Sequence, residues 1–169
     1  MKKLTFIITL SVVLIISCEN KDKNEKTGIV DITNDCIFYN DDVITQRYCF
    51  MIPRDSKYNE FVFRDDNAYK EYQDKIRVTS SGTNCDTASL PNIDFNKFTL
   101  LTKLSEGTGC SAGYTRKIVK DYDNKKTIYT IKVEHSGLCD ALISHYNWVL
   151  VPKISEDFTI EFEVIQNVN

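Results

Sequence analysis

Two neighbouring segments, "GYTRKIVKDY" (Gly113–Tyr122) and "KTIYTIKVEH" (Lys126–His135), alternate apolar and polar residues over ten positions each. A side-chain period of two sorts residues onto opposite faces of an extended strand, and no helix would gather the same residues on one side. The polar residues between them are turn formers, so the pair reads as an antiparallel hairpin. With Asn124-Lys125 as a two-residue turn, Cys110 faces Cys139, and Tyr114, Ile118, Ile131 and Val133 share the cysteines' face. Thr115, Lys117, Asp121, Thr130, Lys132 and Glu134 take the other face, as a half-buried sheet requires. Arg116 and Lys120 fall on the apolar side, where snorkelling or a place at the rim is expected.

The same strand signature recurs in "VITQRYCFMI" (Val43–Ile52), "EFVF" (Glu60–Phe63), "KFTLLTKL" (Lys97–Leu104), "YNWVLVPK" (Tyr146–Lys153) and "FTIEFEVIQ" (Phe158–Gln166). One helix interrupts them. Asp65 or Asp66 is placed to cap it, and Tyr69, Tyr72 and Ile76 fall on one stripe. Many short strands with a single helix predict a mostly β fold, an antiparallel β-sandwich or partly open barrel with the helix over an end or edge.

The N-terminus carries a different signal. Lys2 and Lys3 precede an uncharged run from Leu4 to Ile16, thirteen residues long. A spanning helix needs about 20 apolar residues, so the run matches the core of a secretory signal instead. Ile15-Ile16-Ser17-Cys18 resembles a bacterial lipobox, with Ile15 where Leu is usual. That resemblance implies cleavage before Cys18, acylation of its thiol, and attachment to a lipid bilayer. Each buried CH₂ of an acyl chain contributes about 0.8 kcal/mol, so several chains hold stably. Residues 1–17 are then a signal peptide and residues 18–28, "CENKDKNEKTG", a solvated lipidated tether. Residues 29–169 form one β-rich domain. Glu19 is not the aspartate that marks inner-membrane retention in the enteric rule, which points to the outer membrane.

Removing the signal takes two of the 21 basic residues and none of the 24 acidic ones, leaving a net charge of −5. An acidic chain of this kind is not expected to bind nucleic acid.

Export brings an oxidising compartment, so Cys36, Cys49, Cys85, Cys110 and Cys139 are expected to form bridges. Five thiols leave one over, and several pairings remain open. The hairpin register selects Cys110–Cys139. By elimination Cys36 and Cys49 make the next pair around "YNDD", with Cys85 spare.

Chemistry-bearing motifs are few. Gly109-Cys110-Ser111-Ala112-Gly113 matches G-x-S-x-G, with Asp121, Asp123 or Asp140 and then His145 following in the order of a hydrolase triad. A nucleophile elbow needs a helix after it, and here an alternating strand follows, so no catalytic serine is expected. His135, Cys139 and His145 with Cys110 lack zinc-site spacing apart from His135-x₃-Cys139, and a disulfide claims both sulfurs. Asp121 to Asn124 reads as a turn rather than a calcium loop, and of the possible paired carboxylates Glu60, Asp65 and Asp66 the two aspartates read as helix caps. No cofactor or metal is expected.

"LPNIDFNKFTLL" (Leu90–Leu101), the turn into Gly113-Tyr114, and "WVLVPK" (Trp148–Lys153) together resemble the C-terminal domain of the protease-complex B-subunit family. Pro91, Ile93, Asp94, Phe95, Gly113 and Tyr114 carry the likeness, over residues 90–153. The resemblance implies a non-enzymatic, β-rich lipoprotein that binds a protein partner in the cell envelope, a protease among the candidates. The Cys110/Cys139 pair departs from that family's pattern. A periplasmic inhibitor or immunity-type lipoprotein is the alternative for a small, disulfide-bearing β-domain.

Overall fold

A computed structural model describes residues 26–40, 59–77 and 90–168, with only the main chain described at 76, 77 and 168. Its elements run β1 (Ile29–Asp31), a short 3-10 turn (Thr33–Asp35), β2 (Ile37–Tyr39), β3 (Glu60–Phe63), α1 (Asp66–Arg77), β4 (Phe98–Thr108), β5 (Ser111–Asp121), β6 (Lys126–Ser136), β7 (Leu142–Pro152) and β8 (Thr159–Val168). Among the described residues, two four-stranded sheets form a sandwich, one ordered β1-β5-β6-β8 and the other β2-β7-β4-β3, and neither closes into a barrel. All described strand pairs are antiparallel except β6 with β8. The strand expected over Val43–Ile52 lies outside the described residues.

The inner faces meet in one core. Ile118, Tyr129, Ile131 and Val133 of the first sheet pack with Leu101, Val149 and Val151 of the second. A second core lies on the far side of the second sheet. There Phe63, Leu100, Trp148 and Leu150 are covered by Tyr69 and Tyr72 of α1 and by Leu90, Ile93 and Phe95 of the segment before β4. The β2-β7-β4-β3 sheet is therefore central, buried on both faces, and the β1-β5-β6-β8 sheet is outer. Helix α1, expected over an end or edge, packs on the central sheet's outward face, against its edge strand β3. Its aromatic stripe explains the position, since Tyr72 meets Phe63 and Trp148 at ring separations of 5.1 and 5.9 Å. The Asp65 carboxylate accepts the Ala68 N–H at 2.9 Å, capping the helix as expected.

The hairpin register also needs correction. Asp121 pairs with Lys126 and Ser111 with Ser136, so four residues, Tyr122 to Lys125, make the turn. A two-residue turn of the favoured kind wants positive φ at both central positions, and only Lys125 has it, at 49°. Asp121 instead accepts hydrogen bonds from the Asn124 backbone N–H (3.0 Å) and side-chain amide (2.7 Å), closing a wider turn. The slip is two residues, so every side chain keeps its expected face. Lys120 is 9% exposed and lays its ammonium 3.5 Å from the Lys153 carbonyl. Burial lowers its pKa.

The polarity of the sandwich matters for the site. The Tyr122 N–H donates to the Gly28 carbonyl at 3.1 Å, so the chain enters beside the β5–β6 turn. The other end of β5 and β6, about 33 Å away at 3.3 Å per residue, holds Cys110 and Ser136.

Candidate functional site: a disulfide rim over a polar cluster

At that far end the β4–β5 and β6–β7 connections are locked together. Cys110 and Cys139 form a disulfide with their Cα atoms 4.8 Å apart. The expected bridge is present, but not between facing strand residues. Pairing stops at Ser111 and Ser136, and Cys139 lies three residues past β6, in the loop. The two-residue slip moves the cysteines out of the ladder and turns a cross-strand bridge into a loop clamp. Four further contacts tighten it: Gly109 N–H to the Ala141 carbonyl (3.1 Å), Cys110 N–H to the Ser136 carbonyl (2.8 Å), Cys139 N–H to the Cys110 Sγ (3.1 Å), and the Ser111 and Ser136 hydroxyls (2.7 Å apart). Gly137 sits at φ 86°, and a Cβ there would fall on the Cys110 side chain. Only glycine fits that turn. Its neighbour Leu138 is fully exposed, and Leu142, at the start of β7, is 59% exposed.

Beneath the rim, the space between the sheets is polar. Asn147 of β7 is fully buried. Its side-chain oxygen accepts the Arg116 Nε–H at 3.0 Å, and its amide nitrogen donates to the Ser105 hydroxyl at 2.9 Å. Arg116 Nη2 also lies 3.2 Å from His145 Nε2, which accepts because guanidinium only donates. The Tyr114 ring stacks on His145 at 4.4 Å, and the guanidinium lies 5.6 Å from the Tyr114 ring and 5.9 Å from Phe38. Tyr129 closes the group by donating to the Asn147 carbonyl at 3.2 Å. Arg116, expected to snorkel or to lie at a rim, instead ties the outer sheet to the central one. Asn147 was not a candidate on the sequence, and its signal is a lone amide ahead of the buried run "WVLV". His135 is also buried, with its ring against Gly107, where any Cβ would collide with it.

The other sequence candidates scatter. Ser111 opens β5 and its hydroxyl is engaged with Ser136. Cys110 and Cys139 are bridged, while His135 and His145 stand on the inner faces of different sheets, and no three metal-ligating groups converge among the described residues. Glu60 pairs with Lys103 at 2.8 Å. Cys36 contradicts its expected bridge to Cys49: it is a free thiol, turned inward after the 3-10 turn and donating to the Ile32 carbonyl at 3.2 Å. It packs against the core between the sheets, and burial pushes its pKa up to about 12. Such a thiol is a small core side chain rather than a nucleophile. Cys18, Cys49 and Cys85 lie outside the described residues.

No family model, no curated protein and no solved structure matches the chain.

Proposed function

We propose that the chain is a lipoprotein of the cell envelope, anchored through acylated Cys18, whose β-domain serves as a non-enzymatic protein-binding accessory. On the family resemblance over residues 90–153, a surface or periplasmic protease complex is the first partner to test. One observation carries the reading. The chain enters at Gly28 beside the β5–β6 turn, while the covalently clamped rim stands at the opposite end of the longest hairpin. A tether at one end and a rigid loop pair at the other suit a domain that holds a recognition surface away from the bilayer. The engaged Ser111 hydroxyl supports the non-enzymatic part, because its hydrogen-bond partner is another hydroxyl, that of Ser136, rather than a general base.

Metabolic labelling with a fatty-acid analogue, combined with native purification from the envelope, tests both halves. The wild type should carry label and leave the envelope with a stoichiometric protein partner. Label retained by Cys18→Ser sinks the anchor, and a chain that purifies alone at native abundance sinks the binding role. Fluorophosphonate labelling of Ser111 above the Ser111→Ala background would make the chain an enzyme after all.

A further inference from the structure

We infer that the clamped rim is the docking element itself, with Leu138 and Leu142 seated in an apolar socket that has a basic border on the partner protein. This inference rests on the protein-binding role proposed above and specifies which surface serves it. A flexible loop would bury or average away an apolar tip. This one is held open by a disulfide, three hydrogen bonds from main-chain N–H groups and a glycine no other residue can replace, and it presents Leu138 fully to solvent. An ordered anchor loses little conformational freedom on binding, which is what a binding hot spot needs.

Charge selects the partner's chemistry. Exposed Asp140 lies between the two leucines in the chain, and exposed Glu106 stands two residues inside the Thr108–Leu142 pair. Glu134 and Lys132 of β6 pair with each other at 2.8 Å and leave the balance at the rim unchanged. An acidic border of this kind repels an anionic bilayer, and the chain's entry at the other end points the rim away from the anchoring membrane. It also opposes a second copy of itself, which would bring the same carboxylates face to face. A basic-bordered socket on another protein is complementary to both the leucines and the acids.

The test uses the full lipidated chain in its own envelope, with a photo-crosslinking phenylalanine analogue placed singly at positions 138, 123, 115 and 71. These sample the rim, the β5–β6 turn, the outer sheet's exposed face and the helix. Position 138 alone should crosslink a distinct protein. That protein, purified, should bind Leu138→Asp and Asp140→Lys each about tenfold or more weakly than wild type, with the Asp140→Lys loss shrinking at high salt. Both side chains are exposed, so the variants should melt with the wild type. Adducts to lipid or to a second copy at 138, or unchanged affinity in both variants, overturn the inference. Protein adducts confined to 123, 115 or 71 leave the binding role standing and remove the rim from it. No protein adduct at any position removes both.

Discussion

Strands β4 and β5 follow each other in sequence and are both eleven residues long, yet they bury their side chains by different rules. In β4, Thr99, Leu100, Leu101 and Thr102 are consecutive and all fully buried. In β5 the first seven residues alternate between exposed and half-buried, and full burial begins only at Ile118. The difference comes from what lies on each sheet's far side. Beyond the central sheet stand α1 and the Leu90–Phe95 segment. Beyond the outer sheet stands water, met by charged pairs such as Lys126–Glu161 (2.7 Å) and Lys132–Glu134 (2.8 Å). A run of apolar residues and an alternating one are thus both β-strands, distinguished by the number of layers that cover them.

Adjacent substitutions test this contrast most severely. Leu100→Ala and Leu101→Ala should each cost about 2–5 kcal/mol, because each opens a cavity in a different core. In β5, Ile118→Ala should cost a similar amount and Lys117→Ala less than about 0.5 kcal/mol. Chemical denaturation reads all four, and a mild Leu100→Ala would break the three-layer description. Removing the clamp in Cys110→Ala/Cys139→Ala should cost about 2–4 kcal/mol while leaving the strand content by circular dichroism unchanged. A large loss of strand signal would mean that the rim organises the outer sheet rather than finishing it. Asn147→Ala deprives Arg116 and Ser105 of their partner between the sheets, for an expected loss of about 1–3 kcal/mol. Combining it with Arg116→Met in a double-mutant cycle should show the two effects to be less than additive.

The smallest effect is one of pH. Hydrogen bonds from Thr33 hold the Asp31 carboxyl below the ordinary range, the Asn124 side chain and backbone do so for Asp121, and the Lys125 ammonium does so for Asp157. A depressed carboxylate contributes stability above its unfolded pKa, and the contribution is lost as pH falls through its folded value. These three belong to the outer sheet or its turns, while Asp94, held low by the Lys97 side chain, stands in the turn into β4. Hydrogen exchange below about pH 4 should therefore release β1, the β5–β6 turn and the entry to β4 before the middle of β4 and β7. Simultaneous release would erase the distinction between the sheets in acid.

How far the sequence was legible follows the same division. Six of the eight described strands were readable because alternation or a β-branched run marks them, and the faces of β5 and β6 were assigned correctly. β1 and β2 were missed, since three residues are too few to show a period. The helix was visible as a stripe of Tyr69 and Tyr72, but a stripe does not name the sheet it will cover. The turn misled by two residues because Asp121, rather than the Asn124-Lys125 pair, sets its geometry. The Arg116–Asn147 contact was out of reach, since its members stand on different sheets and meet only when those sheets pack. Cys36 went the same way: elimination paired it, whereas packing turned it inward.

The order β1-β5-β6-β8 has a consequence in time. The outer sheet's two edges come from opposite ends of the described chain, with Ile29–Asp31 on one side and Thr159–Val168 on the other. Ile160, Phe162 and Val164 of β8 pack against the core between the sheets, so that core stays open along one flank until β8 arrives. In any vectorial emergence of the chain from its N-terminus, on the ribosome or in the export proposed above, β8 follows every other described element, and the core between the sheets closes only when it arrives.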